Sequence, residues 1–339
     1  MKMGKTYRVA ILDWAAAHLS EPEAIVERSV IGDAADVKTY YCNDDNDFTE
    51  EILDSDAMIV WHNCPIRAAG IERLRRCRAL IRNGVGFDSV DIAAAARCGI
   101  PVCNVPDYGT EEVADHAIAL ALALCRQLFP LDIEAKRLGW TIPAPQKMRR
   151  LSALNFGVVG LGRIGTAAAL RAKALGFNVS FYDPHLSNGV HKAIGIRRER
   201  SLAELLKTSD VVSLHCPLSA ETLHLIGERE LALMKPSAFL VNTARGGVVA
   251  KAAILAALRA GRLAGAGLDV IEDEPLKTAE EAATPNLIAT CHAAFCSTEA
   301  KNEMRATSAR IARAAVLGES LENVVNGVPV SKHTIKVAR

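Results

Sequence analysis

Two series of short, continuous apolar runs, each separated by helix-like stretches, dominate this sequence. The first comprises Val9 to Leu12, Val37 to Cys42, Ala57 to Trp61, Ala79 to Ile81 and Pro101 to Cys103. The second comprises Phe156 to Val159, Val179 to Tyr182, Val211 to Leu214, Ala238 to Asn242, Ala264 to Val270 and Leu287 to Thr290. Runs that are apolar throughout, not at alternate positions, belong to strands buried on both faces, and intervening helices make such strands parallel. The expectation is an α/β protein with two doubly wound parallel sheets, of five and six strands. Between the series, Thr110 to Gln127 carries a long helical pattern, with Glu111 and Glu112 near the positive end of its dipole. Gly139 to Arg150 is less regular and holds the breakers Pro143 and Pro145. One more helix is expected after Ser297, to about Leu317.

Composition narrows the function classes. A chain of 339 residues, 50% hydrophobic and 23% charged, is too apolar for disorder and long enough for two cores. Lys and Arg number 40 against 39 Asp and Glu, a formal net charge of +1, which lacks the basic footprint of a nucleic-acid binder. The longest uncharged apolar run, Ala117 to Cys125, is about half a membrane span, and no signal-type apolar core follows Met1 to Lys5. A cytoplasmic protein without membrane association is the expectation. Nine cysteines with no C-x-x-C pair suggest neither a disulfide framework nor a zinc site, so no metal is expected.

Gly160-Leu-Gly162-Arg163-Ile164-Gly165 fits G-x-G-x-x-G, directly after one apolar run and directly before a helical pattern. Gly160 permits the tight turn, Gly162 lets backbone approach a pyrophosphate, and Gly165 lets helix pack on strand. The helix N-terminus adds N–H donors and partial positive charge. The next strand ends at Asp183, close to twenty residues on, where a carboxylate can accept the ribose hydroxyls and repel a 2′-phosphate. NAD is therefore favoured over NADP. About 150 residues precede this loop and must form another domain, expected to face the cofactor across a cleft.

Three chemically capable residues stand at expected strand ends of the second domain: Arg245 in Asn242-Thr-Ala-Arg-Gly-Gly247, Glu274 in Asp269-Val-Ile-Glu-Asp-Glu-Pro275, and His292 in Cys291-His-Ala-Ala-Phe295. Ligands of open α/β sheets gather at the carboxyl ends of strands, so the three can converge despite their separation in sequence. Each has a plainer alternative: a surface cation, a member of an acidic turn and a core histidine.

These motifs, with Arg82-Asn-Gly-Val-Gly-Phe-Asp-Ser-Val-Asp91, Cys103-Asn-Val-Pro106, Glu112-Val-Ala-Asp-His116, His215-Cys-Pro217 and Leu268-Asp-Val270, resemble the D-isomer-specific 2-hydroxyacid dehydrogenases, and within them the branch of the C-terminal binding proteins. The resemblance covers nearly the whole chain. It implies a flavodoxin-like substrate domain made of residues 1–106 and 299–339, a Rossmann NAD-binding domain of residues 107–298, and a homodimer joined through the latter. Carried over by resemblance, Arg245 holds the carboxylate and carbonyl oxygen of a small 2-oxo or 2-hydroxy acid, His292 is the general acid and base, and Glu274 pairs with it. Asp269 matches a position near the nicotinamide amide. Thr243, Ala244 and the run from Cys216 and Pro217 to Thr222 match positions lining the dinucleotide. Gly84, Val85 and Gly86 resemble the loop whose N–H groups receive the substrate carboxylate, and Arg82 an arginine facing the substrate. His62, after Trp61 at a strand end, is a further candidate for substrate contact. At Phe295 vertebrate members of that branch carry tryptophan, and at Cys296 tyrosine is common, which leaves the substrate side chain open. The competing reading is an NAD-sensing corepressor scaffold, against which the short tail Ser331 to Arg339 counts.

Overall fold

The computed structural model describes residues 7–15, 23–61, 64–140 and 148–328. It divides into two units, Met1–Tyr108 with Ser297–Arg339, and Gly109–Cys296. His62 lies outside the described residues.

In the first unit the strands are β1 (Tyr7–Trp14), β2 (Ala35–Cys42), β3 (Ala57–Val60), β4 (Leu80–Arg82) and β5 (Val102–Cys103), with helices α1 (Ile25–Ile31), α2 (Glu50–Leu53), α3 (Ala68–Glu72) and α4 (Ile92–Arg97) between them. They form one parallel sheet in the order β2-β1-β3-β4-β5. Strands buried on both faces need apolar side chains at every position, and β3, Ala-Met-Ile-Val, is buried throughout.

The second unit begins with α5 (Thr110–Cys125) and α6 (Leu128–Lys136). Its strands are β6 (Asn155–Val159), β7 (Asn178–Tyr182), β8 (Arg197–Arg198), β9 (Val211–Leu214), β10 (Phe239–Asn242), β11 (Gly265–Leu268) and β12 (Leu287–Ala289). The helices between them are α7 (Arg163–Ala174), α8 (Val190–Ile194), α9 (Leu202–Thr208), α10 (Glu228–Leu233), α11 (Lys251–Arg259) and α12 (Ala279–Ala282). The sheet is parallel, in the order β12-β11-β10-β9-β6-β7-β8. The chain leaves β6 toward β7 and later returns to β9 on the other side. The turn after β6 and the turn after β9 therefore flank the topological switch point, where open α/β sheets bind ligands.

Two expectations are corrected here. The second sheet has seven strands among the described residues, not six, because the two-residue β8 is polar and leaves no apolar run. The helix expected to reach Gln127 stops at Cys125, and Gln127, in the left-handed region at φ 51°, starts α6 at an angle of 59° to α5. The last helix, α13 (Thr298–Leu317), belongs to the first unit, where Arg305 Nε and Nη2 each donate to a carboxylate oxygen of Glu27 on α1 at 2.8 Å. That pair is buried and doubly bonded, so it fixes the register of α13 on α1.

Candidate active site

At the glycine loop the structure gives each glycine a separate reason. Gly160 sits at φ 87°, and a Cβ there would fall 2.8 Å from the Cys216 backbone nitrogen, so the turn after β6 lies directly against the turn after β9. A Cβ on Gly165 would meet the Gly160 carbonyl oxygen at 2.0 Å, which is the close helix–strand packing the motif requires. Gly162 differs: nothing lies within 4 Å of its Cβ position. It caps α7 with no side-chain bond, so the N–H groups of Arg163, Ile164 and Gly165 have neither a helical acceptor nor a side-chain cap. An anion of a dinucleotide fits this open end. Arg163 is exposed and Ile164 half-buried.

Asp183, just past β7, accepts Leu161 N–H on Oδ2 at 2.8 Å and His185 N–H on Oδ1 at 2.9 Å. A carboxylate has about four acceptor sites, so capacity for ribose hydroxyls remains. The sequence shows no arginine immediately beyond Asp183, but the fold brings one beside it from β8: Arg198 Nη2 donates to the Asp183 carbonyl oxygen at 2.6 Å.

After β9, burial pushes the Cys216 thiol up to about 11 and the imidazole of His215 down to about 4. His215 Nε2 bonds Ser213 Oγ at 2.9 Å, while its Nδ1 is buried without a protein partner. Beyond exposed Pro217, Thr222 Oγ1 donates to the Pro217 carbonyl at 2.6 Å and accepts Ser219 N–H at 2.8 Å, closing the turn. At the end of β10, Thr243 Oγ1 is likewise buried and unpartnered. Two orphaned polar atoms and an uncapped, open helix end are what a protein prepared for a polar dinucleotide shows.

Asn242 shapes the turn that carries the candidate arginine. Its Nδ2 donates to the Arg245 carbonyl at 2.9 Å and its Oδ1 accepts Ala244 N–H at 3.0 Å. The Arg245 guanidinium donates through Nη1 to the Ala244 carbonyl at 2.8 Å and is half-buried.

His292 Nδ1 lies 3.0 Å from Glu274 Oε2, with both side chains about a quarter to a third exposed. An ionised carboxylate only accepts, so Nδ1 is the donor in this contact. The second oxygen of Glu274 accepts Ile271 N–H at 3.3 Å. His292 itself adopts φ 53°, a left-handed conformation uncommon for a residue other than glycine.

What holds that conformation is Asp269, which is buried. Its carboxylate accepts the Thr290 hydroxyl at 2.5 Å, Ala293 N–H at 2.9 Å and Ala294 N–H at 3.0 Å, while its carbonyl accepts His292 N–H at 2.8 Å. His116 on α5 completes the set, with Nε2 3.0 Å from Thr290 Oγ1. Asp269 thus clamps the histidine turn, a function that its sequence position did not disclose. Asp269 N–H in turn bonds the Asn242 carbonyl at 3.0 Å, linking the histidine turn to the arginine turn. Phe295 is half-buried in the same turn, its Cβ 3.5 Å from the Cβ position of Gly109.

In the first unit Arg82 is buried, not solvated, and its Nη1 donates to the Asn83 carbonyl. Gly84, at φ 144°, has the Arg82 guanidinium where a Cβ would stand. Val105 N–H bonds the Gly84 carbonyl at 3.0 Å and Asn104 Nδ2 the Val85 carbonyl at 2.7 Å, so the turn through Gly86 is held from behind. Among the described residues no cluster of His, Cys, Asp or Glu is placed to hold a metal ion, and no single helix is long and apolar enough to cross a membrane.

Residues 118–294 match the family profile described as D-isomer specific 2-hydroxyacid dehydrogenase, NAD binding domain. A glyoxylate reductase of Korarchaeum cryptofilum is 37% identical over 281 residues, which cover 82% of this chain and 84% of that protein. A D-3-phosphoglycerate dehydrogenase of Methanocaldococcus jannaschii is 36% identical over 277 residues; the match takes in 82% of this chain but spans only about half, 53%, of that relative's length. The structure of a D-lactate dehydrogenase from Aquifex aeolicus complexed with NAD and lactic acid superposes with a TM-score of 0.82 at 30% identity, covering 92% of this chain and 96% of that one. The chain belongs to the D-isomer-specific 2-hydroxyacid dehydrogenase family of NAD-dependent oxidoreductases.

Proposed function

We propose that this protein interconverts a small 2-oxo acid and the corresponding D-2-hydroxy acid, with Arg245, Glu274 and His292 as its catalytic residues. The observation that carries this reading is the 3.0 Å contact between His292 Nδ1 and Glu274 Oε2 on turns cross-linked to the Arg245 turn. A corepressor scaffold needs no such pair.

When bound, NADH supplies a hydride to C2 of the oxo acid. Negative charge then develops on the carbonyl oxygen, and His292 Nε2–H donates a proton to it. Glu274 accepts from Nδ1, which fixes the tautomer and orients the ring. The planar fork of Arg245 suits a carboxylate and an adjacent carbonyl oxygen, and it stabilises the developing oxyanion. In the reverse direction Nε2 accepts the hydroxyl proton. Gly160, Gly162 and Gly165 with the first N–H groups of α7 would hold the pyrophosphate, Asp183 the ribose, and Cys216, Pro217, Thr222, Thr243 and Ala244 the rest of the dinucleotide. Arg82 and the turn Gly84-Val85-Gly86 are proposed to bind the substrate carboxylate. Their support is a buried arginine wrapped on a backbone turn held from behind.

The test is reduction of glyoxylate, hydroxypyruvate, pyruvate and larger 2-oxo acids at saturating NADH. His292→Ala should lower kcat by about 10² to 10⁴, the usual contribution of a general acid, with NADH binding retained. Glu274→Gln should lower kcat about tenfold with NADH binding retained, because a neutral amide holds the imidazole less firmly than a carboxylate. Near-native turnover in a folded His292→Ala protein would remove that histidine from the reaction.

The homodimer reading draws on α6 and the residues after it. Leu128, Phe129 and Ile133 are about half exposed, Leu138 is 96% and Trp140 92% exposed in the single chain. So much clustered apolar surface suits an interface with a second copy. Sedimentation should give a dimer, and Ile133→Asp with Trp140→Glu a monomer; a monomeric native protein would end this reading.

A further inference from the structure

The second unit contains another histidine–carboxylate pair, which the reaction itself does not require. His224 Nε2 lies 2.5 Å from Glu272 Oε1. His224 stands in the segment after β9 and Glu272 in the segment after β11, and the turn after β10, which carries Arg245, runs between them. A Cβ on Gly246 would fall 2.2 Å from the Ile271 carbonyl carbon and 2.5 Å from the Glu272 nitrogen. A Cβ on Gly247 would fall 3.3 Å from both methyl carbons of Leu218. On the β9 side, His224 N–H bonds the Gly247 carbonyl at 2.8 Å and Ile226 N–H the Val248 carbonyl at 3.0 Å. The glycines after Arg245 are thus pressed between two loops, and the side-chain bond of His224 to Glu272 closes over them.

Both ends of that bond have fixed backbones. His224 is left-handed at φ 52°, as is Asp273 at 56°, between the two glutamates. Glu272 Oε2 accepts Lys251 N–H at 3.2 Å, and the Lys251 ammonium is 3.3 Å from Glu281. The bond from His224 holds the Glu272 carboxyl below its usual range. Two residues on, Glu274 makes its contacts with Ile271 N–H and His292.

We propose that His224 and Glu272 are positioning residues, whose bond locks the 271–274 loop and the Arg245 turn so that Glu274 stays on His292 Nδ1. This rests on the catalytic assignment of Arg245, Glu274 and His292. A half-exposed pair of this kind adds little to folding stability, so its effect belongs in the kinetics.

The experiment compares His224→Ala, His224→Gln, Glu272→Ala and the double alanine variant with Glu274→Gln and His292→Ala. It measures kcat and KM for glyoxylate, NADH affinity by fluorescence, and thermal unfolding. His224→Ala should lower kcat for glyoxylate about tenfold, as Glu274→Gln does, with NADH affinity changed less than about threefold. Glu272→Ala should match it, and the double variant should be no worse. His224→Gln retains a donor and should restore native kcat, which a mere packing role would not predict. A native kcat in His224→Ala, with the two reference variants behaving as described, would overturn the clasp alone. A glutamine variant as impaired as alanine, or one that loses NADH binding or cooperative unfolding along with activity, would also overturn it. Unaltered reduction in His292→Ala and Glu274→Gln would overturn the catalytic assignment and the clasp with it.

Discussion

Replacing Asp269 by Asn separates a clamp on the histidine turn from a direct contact with the cofactor. The carboxylate is buried and accepts three bonds, from the Thr290 hydroxyl, Ala293 N–H and Ala294 N–H. An amide has one oxygen and one NH2 group. At least one of the three donors would therefore face another donor. Bonds to a charged acceptor contribute about 1.5 to 3 kcal/mol each, and a buried donor left unsatisfied costs about 1 to 3 kcal/mol. Against these stands the left-handed backbone of His292, a conformation that costs an L-residue about 1 to 2 kcal/mol. Losing one bond and orphaning one donor, about 2.5 to 6 kcal/mol together, removes the margin that keeps the turn in place. His292 should then leave Glu274 for part of the time, and kcat for 2-oxo acid reduction should fall at least about thirtyfold, roughly 2 kcal/mol. Steady-state reduction, NADH fluorescence titration and thermal unfolding on the same preparations decide the matter. The clamp requires the loss in kcat with NADH affinity close to native. A variant with native kcat and weakened NADH binding would refute the clamp and favour contact with the nicotinamide amide.

Asp183 should give native enzyme at least about a tenfold preference for NADH over NADPH, about 1.4 kcal/mol, and Asp183→Ser should shift it toward NADPH; equal efficiency of the native enzyme with both cofactors would refute this. His215, held at about 4 by burial, takes up a proton more readily when unfolded than when folded. Its contribution to stability is therefore complete above about pH 6.5 and is lost as pH falls toward 4, by up to about 1.4 kcal/mol per unit. His215→Phe should flatten that acid decline in chemical denaturation curves; an unchanged decline would place the proton uptake elsewhere.

The two parallel sheets were legible because their strands are buried on both faces and so are written as unbroken apolar runs. The glycine loop was legible for a similar reason, since Gly160 and Gly165 exclude a side chain for different causes and Gly162 leaves the helix end open. What escaped has no local signature. Strand β8 is two arginines, Arg197 and Arg198, paired only along the edge of β7. The break between α5 and α6 falls at Gln127, a residue with no special tolerance for φ 51°. Nothing in the sequence around Arg82 announces that it is buried and folds onto the carbonyl of its own neighbour.

The same contrast runs through the candidate site. Arg245, Glu274 and His292 are readable because strand ends of such sheets collect chemistry, whereas their supports are readable only in three dimensions. Asp269 opens the motif that carries Glu274 and by resemblance matches a position near the nicotinamide amide, so nothing in the sequence marks it as an anchor of the histidine turn. Its carboxylate is bonded by three donors more than twenty residues away, around a turn whose own sequence, Cys291-His-Ala-Ala-Phe295, offers no cap and no glycine for the left-handed position. A histidine at φ 53° in such a turn needs an external anchor. A buried acid one strand away supplies it because β11 and β12 are adjacent and in register, with Leu268 opposite Ala289. The imidazole of His292 is therefore placed by sheet register, and a substitution that slipped β12 by one residue would move it away from Glu274.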